Sequence, residues 1–141
     1  MENIEGEAMM TYFKYALGII RDNRLLVLEE EDEELYLMPG GRPESGENAE
    51  QALSRELKEE LGVDLNIESL KYIGFFEDAA AGKEDAKVHI ELYLGGFSGE
   101  MRPCSEVKRL VWFAKDDDWN RLAPVTRNKI LPALLHLGLI S

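Results

Sequence analysis

Three glutamates, Glu56, Glu59 and Glu60, follow Arg55 in the run Arg55-Glu56-Leu57-Lys58-Glu59-Glu60-Leu61-Gly62. At i, i+3 and i+4 they share one face of any helix that contains them. They crowd the C-terminal end of that helix, where the dipole is already negative. Each carboxylate there is disfavoured by roughly 0.3–1 kcal/mol before their mutual repulsion is added. Lysines would serve helix stability better. A divalent cation relieves both penalties, and hard carboxylate oxygens suit Mg²⁺ or Mn²⁺. Taken alone, three such glutamates fit a solvated acidic face equally well.

The stretch before them must position them. Pro39-Gly40-Gly41 opens a loop that holds a further glycine, Gly46, and is not expected to be regular structure. Asn48 is a good helix N-cap, and Gln51 three residues later completes a capping-box pattern. Ala49, Leu53, Leu57 and Leu61 recur at helical spacing as a stripe to be buried. Gly62 is suited to end the helix in the left-handed region.

The whole stretch reads Gly-x5-Glu-x7-Arg-Glu-aliphatic-x-Glu-Glu-x-Gly-aliphatic over residues 41–63, with Gly41, Glu47, Arg55, Glu56, Leu57, Glu59, Glu60, Gly62 and Val63 at the fixed positions. This resembles the Nudix box, and the chain is identified as a member of the MutT-like Nudix hydrolases. The resemblance implies an α+β fold, a mixed curved sheet sandwiched between helices (α/β/α). It also implies Mg²⁺-dependent hydrolysis of a nucleoside diphosphate linked to another moiety. Glu56, Glu59, Glu60 and Arg55 would then be catalytic, and the three glutamates would hold the metal, Mg²⁺ first and Mn²⁺ as the alternative. Gly40 would add its backbone carbonyl to the metal. Arg55 would pair with Glu47 to brace the loop on the helix, supported by Gly41 and Gly62. No substrate-binding residue is assigned. A catalytically silent Nudix module that binds a nucleotide as a sensor is the alternative; such modules commonly lose box glutamates, and this chain keeps them.

Composition narrows the partners. The chain has 141 residues, 45% hydrophobic and 31% charged, enough for one domain with its own core. The expected organisation is a single Nudix domain over 1–141, with residues 1–9 frayed. A net charge of −12 argues against a nucleic acid polymer held on a basic surface. It does not argue against a small nucleotide-like diphosphate, because carboxylate-bound metal reverses the local sign. No apolar run is long enough to span a membrane, and the acidic start lacks signal-peptide shape. The single cysteine, Cys104, forms no internal disulfide. A cytoplasmic protein is the default expectation. A homodimer is common in the family, though no segment marks an interface.

Along the chain, Met10–Ile20 and Arg24–Glu29 read as strands joined at Asp22-Asn23 into a hairpin. The six acids Glu29–Glu34 read as a solvated loop tip. Leu35–Met38 is a short strand feeding the glycine loop, and Tyr36 packs in the core or stacks on a base. Val63–Ile67 alternates, Leu70–Glu77 reads as a strand, and residues 78–85 as a loop. Lys87–Phe97 is a long strand, with Val88, Ile90, Leu92 and Leu94 on one face and breaks at Gly95-Gly96. Val107–Ala114 is another strand. Asp116–Asp118 look like a helix start, and Thr126–Leu137 is a closing helix in which Pro132 threatens a kink. The glutamate that MutT-like enzymes carry just before the later Trp is missing ahead of Trp112, so Glu106 and Glu91 are candidates to replace it, each more often simply exposed. Thr126 stands near the position of the asparagine that reads an oxidised purine in MutT. His89 and His136 lack ligand-like spacing and read as structural.

Overall fold

A computed structural model describes residues 10–141; the expected fraying of residues 1–9 lies outside it. Among the described residues, seven strands form two sheets. The first has the order β4-β1-β6-β5, built from β1 (Met10–Gly18), β4 (Gly40–Gly41), β5 (Asp64–Ala79) and β6 (Ala86–Ser98). The second has the order β2-β3-β7, from β2 (Ile20–Arg21), β3 (Arg24–Glu30) and β7 (Val107–Phe113). β1 and β6 run parallel and the other pairs antiparallel, which makes the first sheet mixed.

Strand parity divides the core in two. Ala16, Leu25, Val27, Ile90 and Leu92 face one layer, with Ile130, Leu131 and Leu134 of the closing helix. Leu17, Leu26 and Leu28, one residue out of step, face the other layer with Leu53, Leu57 and Leu61 of helix α1 (Ala49–Leu61). Helices therefore cover opposite faces, the α/β/α arrangement expected. The stripe on α1 is Ala52, Leu53, Leu57 and Leu61, with Ala49 only partly covered. Asn48 and Gln51 form the full capping box, and Gly62 ends the helix at φ 70°.

Several local expectations change. The hairpin is shorter than expected: Asp22 and Asn23 turn with positive φ, and β2 alone pairs back on β3. β1 instead lies in the other sheet, in a nine-residue parallel register with β6 from Met10 against Ala86 to Gly18 against Leu94. The loop residues Gly40 and Gly41 form a two-residue strand on β1, opposite Ala16 and Tyr15. Val63–Ile67 and Leu70–Glu77 merge into the single strand β5, whose register slips between Asn66 and Lys71 and again between Tyr72 and Gly74. Gly95 and Gly96 do not break β6; pairing with β5 carries it on to Ser98. Asp118 caps a 3₁₀ turn at Trp119–Arg121 rather than an α-helix. The closing helix begins as a π-helical turn, Thr126–Ile130, and becomes α2 at Leu131–His136. Pro132 sits where the π-helical turn passes into α2, and the helix runs on through it to His136. No described helix is long and apolar enough to cross a membrane.

Candidate active site

The glycine loop and α1 meet over a cavity of about 610 Å³. That size suits a small-molecule ligand, for which about 300–1,000 Å³ is usual. The loop is pinned from both sides. Pro39 accepts a hydrogen bond from the Leu17 amide at 3.0 Å, and the Gly40 amide donates to Glu60 Oε1 at 3.0 Å. Gly40 has φ +131°, and a Cβ there would lie 2.1 Å from the Tyr15 carbonyl oxygen. A Cβ on Gly41 would lie 2.1 Å from Glu56 Oε2. The obstacles differ: backbone at Gly40, the tip of a side chain at Gly41. Gly40→Ala is therefore expected to destabilise the fold by about 1–3 kcal/mol, and Gly41→Ala by much less, since Glu56 can swing aside. Denaturant unfolding of the two variants checks the order.

Glu56 and Glu60 both line this cavity. Burial raises the Glu60 carboxyl to about 9; the Gly40 amide opposes this, while Glu56, Glu30 and Glu106 add to it. Burial also raises Glu56 to about 7, with Arg55 opposing and Glu59 and Glu30 adding. Glu59 stands apart. It is half exposed and accepts from Arg55 Nη1 at 3.3 Å. Arg55 itself is held at several points. Its Nε and Nη2 donate to Glu47 at 2.7 and 2.9 Å, and Nη2 also reaches the Arg42 carbonyl at 3.1 Å. Glu47 additionally accepts from the Glu44 amide at 2.8 Å. The guanidinium holds the Glu47 carboxyl down at about 2.

Further carboxylates join the site from distant sequence. Glu30, in the acid run expected to be a solvated tip, ends β3 where the register slips between Glu29 and Glu30. It lines the cavity, and burial raises its carboxyl. Only part of the run is exposed: Glu31, Asp32 and Glu34 are, whereas Glu33 is half-buried and also lines the cavity. Glu106 lines the cavity because the segment before β7 caps the end of α1: the Arg102 amide donates to the Leu61 carbonyl and the Cys104 amide to the Glu60 carbonyl, both at 3.0 Å. Glu91 points elsewhere, to Tyr72 and His89. Strand parity along Arg24–Glu30 was the one signal that could have flagged Glu30. Tyr36 is a core residue whose hydroxyl accepts from Arg109 Nη2 at 3.1 Å, and His89 stacks between Phe13 and Phe75. Thr126 is buried at the cavity wall.

Among the described residues no three carboxylate, imidazole or thiol groups form a ready-made metal cage. The donor chemistry nevertheless fits a hard divalent ion. Glu56 and Glu60 are all-oxygen donors held together at a cost that bound positive charge removes.

Comparison with known proteins agrees with this geometry. The family described as NUDIX domain matches residues 12–134. The crystal structure of a MutT NUDIX hydrolase from Burkholderia pseudomallei is 30% identical, with a TM-score of 0.69, over 84% of this chain and 94% of that one. The solution structure of the E. coli ORF135 protein is 25% identical, with a TM-score of 0.70, over 94% of each chain. An ADP-ribose pyrophosphatase of Methanocaldococcus jannaschii is 29% identical over 100 residues, 68% of this chain and 58% of the relative's length. With the box on a capped helix, the glycine loop docked on β1 and a mixed sheet between helices, the chain belongs to the NUDIX family, whose hydrolases generally work with divalent metal ions.

Proposed function

We propose that this protein hydrolyses the phosphoanhydride of a nucleotide-like diphosphate with Mg²⁺, Mn²⁺ being the alternative. A nucleoside triphosphate going to monophosphate and pyrophosphate is the first candidate, and a nucleoside diphosphate sugar the second. The observation that carries the reading is that Glu56 and Glu60 face one cavity together with the glycine loop, each displaced far above the ordinary carboxylate range. A structural acidic face would instead point to solvent.

Glu56 and Glu60 would hold the metal, with the Gly40 carbonyl and with Glu59 once it turns from Arg55. Bound there, the ion would neutralise phosphate charge and acidify the attacking water. A carboxylate of this set, Glu56 first, accepts the proton of that water. The water oxygen bonds to one phosphorus, the bond to the bridging oxygen breaks, and that oxygen leaves on the other phosphate. Arg55 and Glu47 keep the loop and the carboxylates in register, as positioning residues. Gly41 leaves the space that Glu56 Oε2 occupies.

The test is a panel of nucleoside triphosphates and nucleotide sugars with Mg²⁺, products identified by chromatography. One compound should be cleaved, with turnover abolished by chelation. Nucleotide binding without cleavage across the panel would instead favour the sensor reading.

A further inference from the structure

The cavity of this strongly acidic chain carries an unexpected positive wall. Lys14 from β1, Arg42 from the glycine loop and Lys83 from the loop between β5 and β6 all line it. None of the three pairs with a carboxylate among the described residues, although acids outnumber bases 28 to 16. Two of them share one aromatic ring. The Arg42 guanidinium lies 5.1 Å from the centroid of Tyr12, and the Lys83 ammonium 5.6 Å. The ring face attracts each cation, but the cations repel one another. An anion held by both removes that repulsion and finds charge-assisted donors from two separate segments.

We infer that Arg42 and Lys83, gathered at Tyr12, form an anion subsite for the terminal phosphate of a nucleoside triphosphate, so that the substrate is a triphosphate rather than a nucleotide sugar. The inference rests on the hydrolase reading above. A neutral sugar in this place would leave both cations facing hydroxyls, whereas a terminal phosphate answers them. Lys14 stands at the boundary between this wall and the acidic floor, where its charge bears on Glu30.

The experiment compares GTP and ADP-ribose with Mg²⁺ in wild type, Lys83→Gln and Lys83→Arg. In Lys83→Gln the ratio of kcat/KM for GTP to that for ADP-ribose should fall about tenfold, through KM rather than kcat. Lys83→Arg should restore most of it. An unchanged ratio overturns the inference, as does a wild type that cleaves ADP-ribose but not GTP. If wild type cleaves neither, the hydrolase reading is left to the wider panel above, and the subsite is read from the Kd of inorganic triphosphate. A Kd about tenfold weaker in Lys83→Gln would then support the subsite, and an equal Kd would overturn it.

Discussion

Glu60→Gln is expected to lower turnover by about a thousandfold, the loss of several kcal/mol of metal-assisted charge stabilisation, while making the metal-free protein more stable at pH 8. Gln keeps an oxygen to accept the Gly40 amide hydrogen bond and removes a carboxylate whose ionisation burial opposes. The pH dependence follows from the same group. Its carboxyl is raised to about 9 in the folded chain from an ordinary 4.5. Between those values the folded state binds more protons than the unfolded state, so stability falls as pH rises. Glu56, raised to about 7, acts in the same direction over the lower part of that window. Glu47 acts oppositely: its carboxyl, lowered to about 2, contributes stability above pH 4.5 that is lost in stronger acid. Metal-free wild type should therefore lose stability steadily from pH 5 to pH 9, and the variant clearly less. Mg²⁺ added at pH 8 should raise the Tm of wild type and hardly move the variant. Chelated thermal melts across pH, alongside turnover, read all of this. A variant that turns over normally, or is less stable than wild type in chelator at pH 8, would sink the assignment.

Arg55→Ala is the second large effect, expected to lower turnover about a hundredfold, the scale on which a misplacement of about 1 Å acts. One guanidinium ties Glu47 at 2.7 and 2.9 Å, the Arg42 carbonyl at 3.1 Å and Glu59 at 3.3 Å. Removing it releases the loop at residues 42–47 and frees Glu59 at once. Arg55→Lys should recover only part of the loss, since an ammonium cannot make the two-pronged contact with Glu47. The apparent Mg²⁺ affinity should weaken with turnover, because the carboxylates lose their fixed positions. Full turnover at unchanged Mg²⁺ dependence would show that Arg55 does not brace the site.

Helix α1 and its two caps were legible from the sequence because capping, helical spacing and a left-handed C-terminal glycine act within a few residues of one another. The nine box positions also marked where the carboxylates and their bracing arginine stand, and the family fold came with them. What the chain order concealed was long-range. Glu30 reads as one acid among six until the register slip at the end of β3 brings it to the cavity. Glu106 reads as exposed until residues 102–104 cap α1. Lys83 reads as loop charge until it meets Tyr12 and Arg42. Spacing alone also grouped Glu59 with Glu56 and Glu60, whereas Arg55 draws it to the exposed side. Local physics therefore decided the box helix and its glycine loop. Only strand pairing between distant segments, which sequence periodicity does not encode, decided which charges line the cavity.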